Sequence, residues 1–314
     1  MTVGAKIWGL HLGVLVVLFA AQQLLPPYYA NQLARGLVLA IFAMGYNIAY
    51  GYTGLLSLGH ALFFAFGMYG AGLAVWQVEW TAFPALAMGL IAGAVAAGTV
   101  GLLALRTTGV SFMIITLMFA QAGYLTILYF GTYTGGDEGF VVEAIGRRVF
   151  GFDLAQDTPR AVLAFALFAI ALLVNLWLVR SPFGRVMVAM RENEERSRML
   201  GYNPFRVKLI VMIISGLYAG LAGAAYGILF GYVGASFATV QYSILPMLYT
   251  LMGGAGTVLG PLLGTLVMFT LIEIASIVTS AQLLVVGLAL VGLVLFAPRG
   301  LLGVVRKRWL RWLP

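Results

Sequence analysis

Long apolar stretches recur along nearly the whole chain, and the polar positions fall between them instead of alternating with them. No Asp, Glu, Lys or Arg occurs within 36–78, 80–105, 107–136, 161–179, 209–272 or 274–298. A helix crossing a hydrocarbon core of about 30 Å needs about 20 apolar residues, so the two longest gaps each hold more than one crossing. Turn-forming residues divide them. Helices are expected at 7–25, stopped by Pro26 and Pro27; at 33–50, ended by Gly51 and Gly54; and then at 56–75, 82–105, 110–130, 161–179 and 209–230. The remaining apolar sequence divides at Gly253, Gly254 and Gly256 and again at Thr279 and Ser280. This leaves a short segment at 243–252 and helices at 258–278 and 282–296.

Composition agrees with this pattern. The chain of 314 residues is 62% hydrophobic and 9% charged, against roughly a quarter charged in soluble domains, which excludes a soluble protein. The net charge of +8 reports which connections face the cytoplasm, not nucleic-acid binding. One basic cluster, Arg180, Arg185, Arg191, Arg196, Arg198, Arg206 and Lys208, lies in a single loop. A second, Arg299, Arg306, Lys307, Arg308 and Arg311, lies in the C-terminal tail. Placing both clusters inside, with Lys6 and Arg106, leaves only Arg35, Arg147, Arg148 and Arg160 outside. The expected fold is therefore all-α: a polytopic transmembrane bundle of about eight to ten spans with both termini cytoplasmic. Ten is preferred, with segment 243–252 crossing. Residues 24–27 make a poor signal-peptide cleavage site, so the first apolar run reads as a span.

Cysteine is absent, and the two histidines, His11 and His60, are too few for a His-rich metal centre, so neither metal nor cofactor is expected. The chain holds 40 glycines, most of which read as close helix packing, as at 93–98, at Gly216, Gly220 and Gly223, and at 253–264. Gly51, Gly54 and Gly59 differ, because they are interleaved with Ser57 and His60, with Tyr69 further on. Irregular backbone at membrane depth is tolerated only when buried or lining a cavity. Ser57, His60 and Tyr69 are therefore candidates for a translocation pathway, against the plainer reading of His60 as a hydrogen-bonded packing residue. Glu273 is the acid within an apolar run and joins them, against the reading of a paired residue near a helix end. Asn47, Gln121 and Asn175 read as bridges between helices.

The loop at 180–208, RSPFGRVMVAMRENEERSRMLGYNPFRVK, is unlike the rest. Phe183, Val186, Val188, Ala189 and Met190 give an apolar side, Arg191 to Arg198 a dense charged run, and Leu200 with Gly201 the end of a short helix. Its mixed charge suits a groove on another protein better than an anionic leaflet. This loop resembles the ATPase-coupling loop of ABC importer permeases, whose pattern is Glu-Ala-Ala, three residues, Gly. Glu195 and Gly201 keep the spacing, while Arg196 and Ser197 replace the alanines.

Over nearly its full length the chain is similar to the branched-chain amino acid ABC transporter permease family, the LivM-type subunit. The segments that bear the similarity are GYTGLLSLGHALFFAFGMYGAG at 51–72, RTTGVSFMIITLMFAQ at 106–121 and TGGDEG at 134–139, then the loop with Arg191, Glu192 and Glu194. GLAGAAYG at 220–227, LMGGAGTVLGPLLG at 251–264 and FAPRGLLG at 296–303 complete the set. The resemblance implies a single permease domain over 1–314 in a bacterial inner membrane. It implies a second related permease subunit, two cytoplasmic ATP-binding subunits and a periplasmic solute-binding protein as partners. Arg191, Glu192, Glu194, Glu195, Leu200 and Gly201 would form the coupling loop. The outer loop at 131–160, with Gly135, Gly136, Asp137 and Glu138, would face the binding protein or serve as a flexible connection.

The chain contains no GxxxxGK[ST] phosphate loop, so it is expected to be a non-catalytic subunit moved by ATP hydrolysed elsewhere. Two other classes compete. An ion-coupled carrier of a small polar solute should show paired intramembrane acids, where only Glu273 stands. A membrane-embedded enzyme needs a nucleophile with a base, or several metal ligands.

Overall fold

In a computed structural model, residues 3–149, 152–279, 281–296 and 300–308 are described. Ser280, Arg299, Arg311 and the Ala-Pro-Arg part of the 296–303 segment lie outside them. The chain is mostly helical. Among the described residues seven helices are long and apolar enough to cross a membrane: α1 (Val3–Leu24), α2 (Pro27–Ala49), α4 (Ala82–Ala104), α5 (Gly109–Tyr129), α7 (Asp157–Arg180), α10 (Pro204–Phe230) and α12 (Gly260–Val278). Shorter apolar helices are α3 (His60–Trp76), α11 (Val240–Gly253) and α13 (Gln282–Phe296). The remaining α-helices are one-turn α6 (Gly131–Thr134), the loop helices α8 (Pro182–Glu192) and α9 (Glu194–Met199), and terminal α14 (Gly300–Arg308), with 3-10 turns at Ala144–Arg147 and Ala235–Ala238. Two antiparallel pairs of two-residue strands join β1 (Phe140–Val141) to β4 (Tyr232–Val233) and β2 (Arg148–Val149) to β3 (Phe152–Asp153).

Helices α2 and α10 form the axis. From Gly36 to Ala49 every residue of α2 is buried, and α3, α4 and α2 all seat against α10. They come together at backbone distance because the facing positions lack side chains. A Cβ on Gly67 of α3 would strike the backbone of Gly220, one on Gly223 the carbonyl of Phe64, and one on Gly45 of α2 the Ser215 carbonyl at 2.9 Å. Gly93 of α4 meets Gly216 and Gly220, and the α11–α12 hairpin closes on Gly253 and Gly264 in the same way. The packing read from the glycines in the sequence is thus present at these contacts. Asn47 also bridges as expected: its amide donates to the Thr257 carbonyl (2.9 Å) and its oxygen accepts from Gly256 N (2.9 Å). Asn175, expected to do likewise, is buried on α7 with neither amide atom hydrogen-bonded among the described residues.

The connections sort into two ends of the bundle. At one end lie Gly51, the hairpin α8–α9 and the turn at 254–257, joined through Arg191. The start of α1 is there too, with Gly4 against Arg180, and so is the start of α14, with Gly300 against Gly254. At the far end Trp76 stacks on Phe140 at 4.7 Å, β1 pairs with β4, and Arg160 reaches Asn31. The beginnings of α1 and α14 therefore share the end that holds the hairpin.

Several helices begin elsewhere than the apolar pattern suggests. α2, α7 and α10 start four to six residues earlier than expected, because a helix continues through the polar turn outside an apolar run; Pro27 and Pro204 occupy first-turn positions where no amide donor is missed. α3 starts four residues later than the expected 56–75. Gly54 turns the chain at φ +77°, and 55–58 run without helix back into the bundle, where Leu58 N donates to Thr116 Oγ1 (3.1 Å). The expected 243–252 segment is α11, 14 residues with Pro246 inside it. At about 1.5 Å per residue it is too short alone for a core of about 30 Å. The chain reaches its start by dipping inward from the far end through the 3-10 turn Ala235–Ala238.

Candidate functional site

The hairpin at 181–203 is built by three capped helix starts. Ser181 Oγ accepts from Gly184 N at 3.1 Å, Asn193 Oδ1 from Arg196 N at 2.8 Å, and Asn203 Oδ1 from Arg206 N at 3.2 Å. Each cap satisfies an amide that the helix itself leaves unpaired. Gly201 ends the motif at φ +90°, a conformation that favours glycine. Met187 and Met190 of α8 turn inward and are buried.

The candidate residues of this loop divide by role. Arg191 reaches toward the bundle: its guanidinium donates to the Gly51 carbonyl and lies against Gly256, and its aliphatic stem lies against Gly54. One side chain thereby holds the end of α2, the turn before the extended 55–58 segment, and the turn between α11 and α12. Glu194 also faces the body, paired with Lys208 at 2.6 Å and with Arg198 at 4.0 Å. Glu192 and Glu195 are exposed, with no ion pair among the described residues. Met199 and Leu200 beside them are 86% and 72% exposed, an apolar tip flanked by charge at the end of the hairpin. A cavity of about 540 Å³ lies between this hairpin, 53–56 and 105–113, with Arg191, Glu192, Glu194 and Lys208 on its wall.

The four pathway candidates do not form one site. Ser57 and His60 are fully enclosed. Ser57 Oγ accepts from Gly59 N at 3.1 Å, and His60 Nε2 bonds Ser215 Oγ at 2.8 Å, which in turn donates to the Gly45 carbonyl at 2.7 Å. The His60 ring stands edge-on to Tyr46 at 4.7 Å. One residue on, Ala61 N donates to Ser243 Oγ at 2.9 Å, so the start of α3 meets the start of α11 inside the bundle. The interruption read from the glycines is real, and its partner is the second dip at 235–243, which the sequence did not signal. Tyr69 lines a separate apolar cavity of about 500 Å³ between α3, α4 and α5. Glu273 stands at the far end, accepting from Gln32 Nε2 at 2.6 Å and from Tyr28 OH at 3.3 Å.

The 131–160 connection covers that far end. Gly135, Gly136 and Gly139 all take positive φ, turning the chain so that Asp137 and Glu138 stand exposed. The Glu138 carbonyl accepts from Tyr232 OH at 3.0 Å, tying this turn to the chain that follows α10. Burial, and then the neighbouring Arg160, push the Arg147 guanidinium below its ordinary pKa, with Asp153 opposing. Among the described residues no group of acids and histidines has the arrangement of a metal site.

Comparison with known proteins adds the family. Residues 28–297 match the family described as branched-chain amino acid transport system / permease component. The chain is similar to the high-affinity branched-chain amino acid transport system permease protein LivM of Escherichia coli (strain K12), 29% identical over 87% of this chain and 69% of that protein. LivM of Salmonella typhimurium is 27% identical over the same shares. LivH of Escherichia coli (strain K12) is 26% identical over 88% of this chain and 96% of its own length. No solved structure matches.

Proposed function

Because this chain belongs to the family of branched-chain amino acid transport system permease components, we propose that it moves branched-chain amino acids across a bacterial inner membrane. In this reading it works beside a second, related permease subunit, with two cytoplasmic ATP-binding subunits and a periplasmic solute-binding protein. The chain is a multi-pass membrane permease component and not an enzyme, and the same membership sets aside the ion-coupled carrier and the membrane-embedded enzyme. The observation that carries the reading is the family match over residues 28–297. Similarity to both LivM and LivH supports a paired permease.

In the proposed orientation the hairpin end is cytoplasmic, both termini lie with it, and the ten apolar helices alternate across the membrane. The basic residues of the loop favour this sidedness. The hairpin is the coupling element: exposed Glu192, Glu195, Met199, Leu200 and Gly201 offer a docking tip, while Arg191 and Glu194 anchor it to the bundle. ATP binding draws the partner subunits together, and a docked hairpin transmits that motion only if the two arrangements bind ATP with different affinity. Arg191 passes the motion to the ends of α2 and α11, hence to the two dips that meet at Ala61 and Ser243, and access alternates around that junction. The exposed turn at Asp137 and Glu138 is the contact for the solute-binding protein.

Two experiments test the reading. Proteoliposomes holding both permeases and the ATP-binding subunits, with binding protein in the lumen-external buffer, are expected to accumulate leucine, isoleucine or valine only with ATP inside. Accumulation without nucleotide, or of none of the three, overturns it. The protein lacks cysteine, so single cysteines need no background removal. An impermeant maleimide added to intact spheroplasts is expected to label Asp137→Cys and spare Arg196→Cys until the membrane is opened. The reverse pattern inverts the orientation.

A further inference from the structure

Ionisable side chains set within an apolar bundle are costly and are retained where they are used. At the far end, Arg35 of α2 and Glu273 of α12 are two such groups. The neighbouring Arg160 is fully engaged, with Asp157 at 3.3 Å, Asn31 Oδ1 at 3.3 Å and two carbonyls. Arg35 is not. Its guanidinium lies 5.0 Å from the centre of the Phe230 ring, and its Nε is buried with no hydrogen-bond partner among the described residues. Glu273 is half-engaged: both Gln32 and Tyr28 donate to the same oxygen, Oε1. Gln32, having given its amide hydrogen to Glu273, keeps a buried Oε1 that accepts nothing.

Gln32 and Arg35 are three residues apart on α2 and so share a face. Arg35 Nε and Gln32 Oε1 on that face are enclosed and unpaired among the described residues, so a solute meets them only when the face opens. The second carboxylate oxygen of Glu273, next to Gln32, takes no hydrogen bond among the described residues. Tyr226 of α10 stands within electrostatic reach of both Arg35 and Glu273. Behind it lie the rings of Phe230 at 4.9 Å and Phe237 at 5.2 Å. Arg35 and Glu273 form no ion pair with each other, so neither neutralises the other directly.

We infer that this face binds the zwitterionic head of an α-amino acid. Arg35 takes the carboxylate, Glu273 with Gln32 Oε1 takes the ammonium, and the apolar side chain packs on the aromatic rings. A free ammonium brings three donors and a carboxylate only acceptors, the complement of what the face leaves unpaired. A site with one charge of each sign holds a zwitterion better than a simple anion or a simple amine. The inference rests on the reading of the protein as an amino acid permease component, and it adds a recognition step in the permease itself, apart from any selection by a binding protein.

The test uses the permease pair with its ATP-binding subunits in nanodiscs, binding protein omitted, and the diazirine amino acid photoleucine as probe. Wild-type labelling is expected on peptides of 28–35, 226–242 or 273, competed by leucine at concentrations at least about tenfold lower than by leucinamide or 4-methylpentanoate, since a charge-assisted hydrogen bond is worth about that factor. Arg35→Gln is expected to make leucinamide as good a competitor as leucine, and Glu273→Gln to do the same for 4-methylpentanoate. Arg35→Lys should retain part of the preference for leucine. Labelling elsewhere in the chain, an unchanged preference in both variants, or an equal loss for all three competitors overturns the site. ATP-driven uptake of leucine by the complete wild-type system, alongside such a result, leaves the proposed function standing; its absence removes that function instead.

Discussion

Arg191→Ala is expected to lower ATP-driven uptake by the assembled transporter about tenfold or more while leaving the ATP-binding subunits attached. The side chain, partly open to solvent, bonds to Gly51 and lies against Gly54 and Gly256, away from the apolar tip at Met199 and Leu200. Removing it therefore spares the tip residues proposed for docking and cuts the connection behind them. A hydrogen bond from a charged donor is worth about 1.5–3 kcal/mol, and loss of that much from the coupling between two sites changes it about 10- to 150-fold. Uptake per ATP hydrolysed, measured in proteoliposomes, is the readout. Arg191→Lys should recover a fraction, since an ammonium can still donate to the Gly51 carbonyl but cannot bridge as a planar fork does. Undiminished uptake with alanine would show that the hairpin moves the bundle by another route.

Gly223→Ala is expected to destabilise the protein by about 1–3 kcal/mol, and Gly223→Leu to prevent accumulation of folded protein altogether. The added Cβ would collide with the Phe64 carbonyl, and a main-chain atom cannot step aside as a flexible side chain does. Relief requires α3 to withdraw from α10, which undoes the contacts at Gly67 and Gly220 as well. Gly13→Ala on α1, where nothing lies within 4 Å, is the control and should be neutral or slightly stabilising through helix propensity. Thermal unfolding in detergent compares the wild type with the two alanine variants, and the yield of folded protein reads Gly223→Leu. Equal midpoints for Gly223→Ala and Gly13→Ala would mean that α3 and α10 are not packed at backbone distance.

What the sequence revealed depended on whether a signal was local. The charged run and the Leu200–Gly201 stop in the 180–208 loop and the breaks at Gly51, Gly54 and 253–256 are short-range features, and a helical loop and those two breaks follow from them. That the loop holds two helices split at Asn193, with caps at Ser181, Asn193 and Asn203, came only with the structure. The start of α3 was hidden. Leu55, Leu56 and Leu58 are as apolar in an extended segment as in a helix, and inside a bundle that is apolar on all sides periodicity loses its meaning. The dip before α11 was hidden for the same reason. The hairpin's anchoring to Gly51 and the Glu273–Gln32 bond join residues 140 and 241 positions apart, and no spacing rule reaches that far. Ser57, His60, Tyr69 and Glu273 shared an unusual polarity for their surroundings, which the sequence could register. It could not register that they occupy three different places.

The junction of Ala61 with Ser243 has a thermodynamic corollary. One strand of backbone reaches it from the hairpin end and the other from the opposite face, so each surface of the protein has its own line to a common point. Free-energy linkage is reciprocal: whatever factor nucleotide exerts on the affinity for an external ligand, that ligand exerts on the affinity for nucleotide. In the proposed orientation, a binding protein whose grip ATP tightens would tighten ATP binding by the same ratio, and one whose grip ATP loosens would loosen it by the same ratio.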